Sequence, residues 1–464
     1  MTDLENVLKE NINLKKRIEL LEEELQDLKD INKTITIKLK DKESELTALQ
    51  KSLSKEYKKE DSSSQRFNMV TVLFSNIRDM PKLSTDEKLH NLVDELDRFF
   101  IHFDNIVEKY NIKKIKTIGD TYMCAGGVPK KNRTNPIEVI RAALEVQDYM
   151  EHLEVLAQHT DKKIWKVSIG IHTGPAVISI IGKKNQSIDL KGDAANIASR
   201  IEASIEPGKV IISAMTYEFV KEFFECVYVG TLPVKYTGDI ALFEVKGFKP
   251  TYSLEGNKIA PNKLFSIRFG FVRFDDLEDY ILNRLENELP SYLYYHNVKH
   301  TMDVTIGVEI IGIAEGVTDE ELLFLKTAAL FHDMGQIVQS KGHEEISCDF
   351  AREILPSYGY SNDQIAVICS IIMATKLPPK PETLLQKIIC DADLDYLGRA
   401  DFIPVSDALY RELNEQNIIT DKNEWNKLQI KFLTNHQYFT EFAQNNREVN
   451  KQTQIDRIKN LIID

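Results

Sequence analysis

The hydrophobic pattern of the first segment repeats every seven residues. Between residues 4 and 53 apolar residues recur at alternating spacings of three and four, and leucine dominates one of the two series. This spacing is typical of the a and d positions of a coiled coil. Asn11 and Asn32 fall at a positions, where a buried amide favours a parallel two-stranded register. The pattern predicts a parallel dimeric coiled coil over residues 1–60, with a single solvated helix as the alternative.

After residue 66 the pattern changes to short apolar runs that alternate with longer helical periods. The strand-like runs are 67–75, 112–118, 121–128, 164–173 and 209–213, and the helix-like stretches are 86–109, 136–157 and 194–205. A tight hairpin is predicted at Gly119–Asp120, because that pair suits such turns. The alternation predicts an α+β domain over residues 66–250, with helices packed on one face of a sheet.

From about residue 265 the strand signals fade and helical periods dominate, as in LEDYILNRLENELP. We therefore predict a third domain, all-α, over residues 265–464. The chain contains no uninterrupted apolar run near ~18 residues, so no membrane span is predicted.

Composition narrows the class of protein without identifying it. Hydrophobic residues make up 42% and charged residues 28% of the chain, as in ordinary globular proteins. The formal net charge of −13 argues against binding to a nucleic-acid backbone. The five cysteines form no C-x-x-C pair and the first residues are not those of a secretion signal, which predicts reduced thiols and a cytoplasmic location.

Five sequence blocks in the α+β domain stand out together. They are VTVLFSNI, KTIGDTYM, VSIGIHTGP, IDLKGDAANIASRIEAS and EPGKVIIS. In this order they closely resemble the class III nucleotide cyclases, the adenylate and guanylate cyclase family, over roughly residues 67–248. The resemblance implies a ferredoxin-like core and a nucleotide substrate. It also implies a site shared between two subunits, which agrees with the parallel homodimer predicted from the heptads.

The same resemblance raises a question about metal binding. Members of the family hold two metal ions with one carboxylate at the end of the first strand and one at the hairpin turn. Asp120 matches the second position, whereas Asn76 occupies the first. An amide offers a neutral oxygen to a hard cation, so we expect weaker binding of Mg or Mn. Asp79 lies nearby, at a place where the family usually has a small residue.

The resemblance also implies how a nucleotide is bound. Lys116 and Asp189 match the pair that reads adenine, which implies ATP as substrate. Asn196 and Arg200 are four residues apart and therefore share one helix face. They match the pair that orients the ribose and stabilises developing phosphate charge. Lys235 is a looser match to a phosphate-binding lysine.

Four of the ten histidines lie within a short interval of the helical domain. The blocks that contain them are YHNVKHT, LFHDMGQ and KGHEEIS, and IICDADLDYLGR follows. His332 and Asp333 end an apolar helical run, where an unpaired charge is expensive. Imidazoles and carboxylates that converge from separate helices indicate a divalent metal ion.

These blocks closely resemble the HD superfamily of metal-dependent phosphohydrolases, and YHNVKH is similar to the signature of cyclic-nucleotide phosphodiesterases. The resemblance implies that Mn, Mg, Fe or Zn binds to a set of four side chains, namely His300, His332, Asp333 and Asp391. Asp393 is the alternative for the last ligand, and His343 with Glu344 could complete a second metal site. His296 would protonate the leaving oxygen.

Three hypotheses follow for the whole chain. The first is a cyclic-nucleotide signalling enzyme whose HD domain is a phosphodiesterase and whose cyclase-like domain is weakened or regulatory because of Asn76. The second is a bifunctional enzyme that both makes and hydrolyses cyclic AMP. The third is a coiled-coil scaffold with two inactive domains.

Overall fold

The computed structural model of the protein describes residues 64–78, 86–157, 165–181, 187–234 and 238–462. The predicted coiled coil, Asp79 and Lys235 lie outside the described residues. The described residues fall into two compact units. One contains the described residues of 67–176 and 190–462, and the other contains 64–66, 177–181 and 187–189.

A mixed β-sheet forms the centre of the first domain. Its strands are β1 (Ser64–Arg78), β2 (Lys113–Ile118), β3 (Thr121–Gly126), β4 (Lys166–Ile181), β5 (Ser187–Lys191), β6 (Val210–Ser213), β7 (Phe224–Val234) and β8 (Gly238–Phe248). The order is β2-β3-β1-β4-β6-β8-β7, and β5 pairs with β4. β4 and β6 are parallel, while β1 with β3, β2 with β3, β6 with β8, and β7 with β8 are antiparallel.

Helices accompany this sheet in the predicted alternation. They are α1 (Asp86–Lys109), α2 (Asn135–Ala157), α3 (Asp193–Ser204) and α4 (Ala214–Val220). Phe103 of α1 packs edge-on against Tyr122 of β3, and both side chains are almost fully buried. The predicted alternation of strands and helices is confirmed, and the structure adds β5, α4, β7 and β8 to the predicted elements.

One long helix, α5 (Lys263–Glu288), contributes to two hydrophobic cores. Its first turns place Phe265 and Phe269 in the core of the sheet domain. Further along, Phe274 and Leu277 lie in the core of the helical domain. Arg133, which precedes α2, forms ion pairs with two aspartates of α5, Asp276 at 3.2 Å and Asp279 at 2.7 Å. The helix is therefore a packed element of both domains, not a free linker.

The rest of the described chain is helical, as predicted. The helices are α6 (Val298–Ala314), α7 (Asp319–Phe331), α8 (His343–Ile354), α9 (Asn362–Met373), α10 (Leu384–Asp393), α11 (Phe402–Glu415), α12 (Lys422–Asn435), α13 (Glu441–Ala443) and α14 (Val449–Lys459). Capping boxes start α7 at Thr318, α9 at Ser361 and α10 at Thr383, which satisfies amide groups that the first helical turn leaves free. Across the described ranges, we find no helix with the length and apolarity that a bilayer span requires.

Candidate nucleotide and metal sites

The structure brings Asn76 and Asp120 into direct contact. Asn76 stands near the end of β1 opposite Thr121 of β3, and Asp120 occupies the β2–β3 turn. Gly119 precedes it with φ of +60°, a conformation that glycine adopts without steric cost. The Asn76 amide nitrogen donates to Asp120 Oδ1 at 3.1 Å and to Thr121 Oγ1 at 2.9 Å. The amide therefore holds the remaining carboxylate by hydrogen bonding.

This contact gives Asn76 a physical consequence beyond its missing charge. Two carboxylates about 3 Å apart would repel each other and would require a cation or a proton between them. With asparagine, the amide instead donates one hydrogen bond to the Asp120 carboxylate and one to the Thr121 hydroxyl. To offer its oxygen to a metal ion, the amide has to turn over and lose both bonds. We expect metal affinity to be lower for both reasons.

The helix α3 carries the predicted pair Asn196 and Arg200 on an exposed face. Both side chains are exposed, whereas Ala198 and Ile201 of the same helix are fully buried. Arg200 donates from Nη2 to the Pro233 carbonyl oxygen at 2.9 Å. The helical periodicity thus presents both polar side chains to solvent, where a phosphate ligand could reach them.

The predicted base-reading residues lie on two separate strands. Lys116 is exposed on β2, and Asp189 is half-buried on β5.

In the helical domain, three helix ends bring the predicted metal ligands together. Asn297 caps α6 by accepting a hydrogen bond from the amide of His300, which fixes His300 in the first turn. His332 and Asp333 follow the end of α7, and Asp393 is the last residue of α10. His332, Asp333 and His300 are all less than 9% exposed.

The reactive atoms of these side chains converge on one point. His300 Nε2 lies 3.3 Å from His332 Nε2 and 3.1 Å from Asp393 Oδ1. Asp333 Oδ2 lies 3.2 Å from His332 Nε2 and 3.4 Å from His300 Nε2. His300, His332 and Asp393 form the group whose ligand atoms lie within 4.8 Å of one another.

The chemistry of this group fits a divalent ion. His332 Nδ1 lies 2.7 Å from the Ala329 carbonyl oxygen, so Nδ1 carries a hydrogen and Nε2 is the nitrogen that faces the other ligands. Asp333 Oδ2 is buried and faces the imidazole nitrogens of His300 and His332, and within the described ranges it has no hydrogen bond of good geometry. Imidazole nitrogens and a buried carboxylate oxygen at this spacing are a donor set that fits a metal ion.

Electrostatics point in the same direction. Burial alone would lower the pKa of His332, but the charges of Asp333 and Asp393 outweigh it and hold the pKa well above its usual value. Burial alone would raise the pKa of Asp333, yet His332 and His343 hold it well below the usual range. The carboxylates thus stabilise a proton on His332, and that proton would have to leave before the imidazole could hold a metal ion.

Asp391, predicted as the last ligand, does not fit that role in the structure. Its carboxylate accepts hydrogen bonds from the amides of Phe439 and Thr440 and from the Thr440 hydroxyl. Residues two apart on an α-helix point about 200° away from each other, so only one acid of DAD can face the imidazoles. That acid is Asp393, the alternative.

His343 approaches the same site from α8. Its Nδ1 lies 2.8 Å from the Ser340 carbonyl oxygen, and its Nε2 lies 3.1 Å from Asp333 Oδ1. Glu344 is buried and lines the adjoining cavity. Asp333 therefore contacts the imidazoles of His300 and His332 through one oxygen and that of His343 through the other.

Sequence reasoning missed the partner of His296. Its Nδ1 lies 2.5 Å from Oε1 of Glu412, a side chain of α11 that is 2% exposed. The second oxygen of Glu412 accepts the amides of Tyr295 and His296 at 3.0 and 3.2 Å. Burial alone would lower the pKa of His296, but the hydrogen bond to Glu412 and the charge of Asp333 raise it. Nothing in RELNEQ distinguishes this glutamate from its neighbours.

A cavity of 450 Å³ opens beside these residues. Its polar lining residues include His296, Asp333, His343, Glu344, Thr375, Lys376 and Asp393. The remaining wall is largely apolar and aromatic, and includes Tyr396, Leu397, Phe402, Leu409, Trp425, Leu428, Phe432 and Leu433. Gln429 supplies an amide within that wall, and its carbonyl oxygen accepts a hydrogen bond from Ser406.

Curated relatives match the first half of the chain. Guanylate cyclase 32E of Drosophila melanogaster is 29% identical over 180 residues, which cover 38% of this chain and 15% of the relative. Human guanylyl cyclase C is 32% identical over 193 residues, which cover 41% of this chain and 17% of the relative. The chain thus spans less than a fifth of the length of these relatives.

Solved structures of other proteins are similar to the same region of the chain. The guanylate cyclase domain of RhGC from Catenaria anguillulae in complex with GTP is 24% identical, with a TM-score of 0.34, and the match covers 40% of this chain and 100% of that domain. The adenylyl cyclase CyaB from P. aeruginosa is also 24% identical, with a TM-score of 0.36, and covers 40% of this chain and 97% of that one.

Family profiles match both halves of the chain. The "Adenylate and Guanylate cyclase catalytic domain" profile matches residues 62–256, and the "HD domain" profile matches residues 297–395. The two matches follow one another in the order that the sequence blocks predict. The chain therefore joins a class III adenylate/guanylate cyclase catalytic domain to an HD domain.

Proposed function

We propose that this protein is a cyclic-nucleotide signalling enzyme whose HD domain is a metal-dependent phosphodiesterase. The observation that carries the proposal is the group of His300, His332 and Asp393 with Asp333 in contact with both imidazoles. Asp333 and Asp393 also line the 450 Å³ cavity, as does His296, which is paired with the buried Glu412. A pair of twofold-related chains would complete the cyclase domain, in agreement with the predicted parallel coiled coil.

His296 would act as the general acid. Because Nδ1 is bonded to Glu412, the second ring nitrogen is left to donate a proton into the cavity. Glu412 favours the protonated imidazolium, which is the form that an acid catalyst needs at neutral pH. Protonation of the leaving 3′ oxygen by a positioned acid contributes about 10²–10⁴ in rate.

The metal ligands would be His300, His332, Asp333 and Asp393, with His343 and Glu344 beside a second ion. A divalent ion bound there supplies Lewis-acid activation of the phosphodiester and of the attacking water. Imidazole and carboxylate ligands suit Mn, Fe, Zn or Mg.

The rest of the cavity supports a nucleotide as substrate. A nucleobase is a flat, largely apolar ring with polar edges, and the wall offers Phe432 and Trp425 for packing and Gln429 for hydrogen bonding. The phosphate end and the base end of such a ligand thus meet chemically different parts of one cavity. A phosphate ester without a large apolar group would leave most of this wall uncovered.

The cyclase domain would bind ATP with weakened catalysis. The contact between Asn76 and Asp120 supports a poor metal site, while the exposed Asn196 and Arg200 keep the residue types that handle ribose and phosphate. Lys116 and Asp189 favour adenine. The relatives named above are guanylate cyclases, so GTP is the competing substrate.

A second candidate function is the bifunctional enzyme that makes and hydrolyses cyclic AMP. Asn76 lies beside Asp120, where the family's first carboxylate would stand, so one turned amide would restore an oxygen at that point. The scaffold hypothesis is supported less well, because buried imidazoles and carboxylates without a ligand would be costly to retain.

The test is phosphoester hydrolysis by the purified full-length chain with Mn²⁺. Cyclic AMP, cyclic GMP, dATP and AMP are offered separately, and the products are separated chromatographically. We expect 5′-AMP from cyclic AMP. Hydrolysis of dATP or AMP alone would contradict the phosphodiesterase and assign the HD domain another phosphoester.

Replacing Glu412 by glutamine is expected to shift the pH dependence of hydrolysis. Without the carboxylate, the raised pKa of His296 falls, so the acid loses its proton at a lower pH. A hydrogen bond to a charged group contributes about 1.5–3 kcal/mol, which corresponds to about one to two pH units. The measurement is kcat/KM as a function of pH, and we expect its alkaline limb to shift to lower pH.

Glu415→Gln is the matched control. Glu415 lies on the last turn of the same helix and accepts from the Tyr294 hydroxyl at 2.8 Å, but it does not contact His296. We expect its pH profile to match that of the wild type. A Glu412→Gln profile that drops in height at every pH without moving would assign Glu412 a purely structural role.

A further inference from the structure

Two of the five cysteines lie against each other between neighbouring helices. Cys348 of α8 and Cys369 of α9 are 2% and 5% exposed. The Cys348 sulfur donates to the Cys369 carbonyl oxygen at 3.5 Å, and the Cys369 sulfur donates to the Cys348 carbonyl oxygen at 3.7 Å. This reciprocal arrangement places both sulfurs in the same contact between α8 and α9, and all five cysteines are free thiols.

The two thiols are chemically unequal. When Cys369 loses its proton, the Cys348 thiol donates to the resulting thiolate, and this bond outweighs burial and lowers the pKa of Cys369 to about 7. The same bond, together with burial, raises the pKa of Cys348. Arg352 adds a positive charge that also favours the Cys369 thiolate. A thiolate next to a protonated thiol is the combination in which one sulfur attacks an oxidant and the other resolves the product.

Cys369 also lines a cavity of 470 Å³ that Cys348 does not reach. Arg352, Asn362 and Ser370 provide polar groups in its wall. A small hydroperoxide could therefore approach Cys369 from this side.

We propose that Cys348 and Cys369 form a reversible redox pair that takes a hydroperoxide as its oxidant. The Cys369 thiolate attacks the O–O bond, gives a sulfenic acid and releases an alcohol or water as leaving group. The Cys348 sulfur then attacks that sulfur while its proton passes to the departing hydroxyl, so that water leaves as the S–S bond forms. In sum, two thiols and one hydroperoxide give one disulfide, one alcohol or water, and one further water.

The disulfide would act on the HD site through α8. Ser347, the neighbour of Cys348, donates to the His332 carbonyl oxygen at 2.7 Å and accepts the amide of Gly335 at 2.8 Å. The first residue of the helix is His343, which contacts Asp333. A covalent bond between α8 and α9 therefore constrains the helix that positions one side of the candidate metal site.

The experiment treats the full-length wild-type protein with hydrogen peroxide, blocks the remaining thiols by alkylation and maps the peptides by mass spectrometry. We expect a Cys348–Cys369 disulfide, loss of two of the five thiols, and complete recovery with dithiothreitol. Cys348→Ser should stop at a sulfenic acid on Cys369. The buried Cys390 donates to the Ala374 carbonyl oxygen, and Cys390→Ser, the control, should form the disulfide as the wild type does.

Either of two results would overturn the pair: a wild-type protein that keeps both thiols reduced, or one whose disulfide joins other cysteines. Regulation of the HD site by the disulfide rests on the proposed phosphodiesterase. It is tested by measuring the rate of cyclic AMP hydrolysis before and after oxidation. We expect a fall of about fivefold or more that dithiothreitol reverses and that Cys348→Ser does not show. If the disulfide forms and the hydrolysis rate does not change, the redox pair does not regulate the HD site. If the protein with all thiols reduced does not hydrolyse the substrate, only the proposed phosphodiesterase is refuted.

Discussion

Replacement of Asp333 by alanine is expected to reduce phosphodiester hydrolysis at least about a thousandfold, equivalent to about 4 kcal/mol of transition-state stabilisation. One oxygen of Asp333 lies among His300 and His332, and the other contacts His343. Its loss removes charge from both sides of the candidate metal site at once. The measurement combines hydrolysis of cyclic AMP in Mn²⁺ with the amount of metal retained per chain after dialysis.

Asp391→Asn is the matched control for this experiment. Asp391 is a buried acid near the same site, but its carboxylate is bonded to Phe439 and Thr440. We expect this variant to retain metal and to hydrolyse at the wild-type rate per folded molecule, with stability lowered by about 1–3 kcal/mol. Full activity in Asp333→Ala would refute the proposed role of Asp333 as a metal ligand in the phosphodiesterase site. Asp333→Asn keeps the shape of the side chain and removes only its charge, so it separates the loss of charge from a loss of folding. Asp333→Ala and Asp333→Asn are compared by thermal unfolding.

Periodicity predicted those parts of the fold in which one face of an element is buried. In α3, Ala194, Ile197, Ala198 and Ile201 are buried while Asn196 and Arg200 are exposed, as the helical spacing requires. The strands β7 and β8 were not predicted. Their pairing shifts register near Glu225 and again near Tyr228, and Gly230 and Pro233 interrupt the apolar alternation on which a strand prediction depends.

For the candidate metal site, the sequence indicates which residue types and which segments contribute, but not every individual residue. His300, His332 and Asp333 follow from the blocks in which they occur. The choice between Asp391 and Asp393 depends on the rotation of α10, and the sequence around DAD does not define that rotation. Glu412 is more than a hundred residues from His296, and their contact arises from the packing of α11, so no local pattern identifies it.

The sequence also does not show that helix α5 contributes to the cores of both domains. This affects how mutations in the helix are interpreted. Its apolar positions read as one amphipathic helix, but Phe265 packs in the cyclase-domain core and Leu277 in the HD-domain core. A mutation in this helix therefore disturbs two cores, so losses in both activities after such a change do not by themselves demonstrate regulation.

Replacement of Asn76 by aspartate is expected to raise cyclase turnover by about tenfold or more, which corresponds to about 1.4 kcal/mol or more of transition-state stabilisation. The change converts a neutral donor into a charged ligand next to Asp120, where the amide nitrogen now lies 3.1 Å from the Asp120 oxygen. The assay is best made in Asp333→Ala protein, because the product is then not hydrolysed by the HD domain. ATP and GTP are compared in excess Mn²⁺.

Asn76→Ala separates the two effects of the asparagine. Alanine frees Asp120 from its hydrogen bond but adds no carboxylate, so this variant should gain nothing over the Asp333→Ala background. Metal-free Asn76→Asp should also unfold at a lower temperature, because two carboxylates then face each other, and Mn²⁺ should reverse that loss. If Mn²⁺ restores stability while turnover stays unchanged at saturating metal, the missing carboxylate does not limit the domain. In that case the domain serves as a nucleotide sensor, and the chemistry of the protein resides around His332 and Asp333.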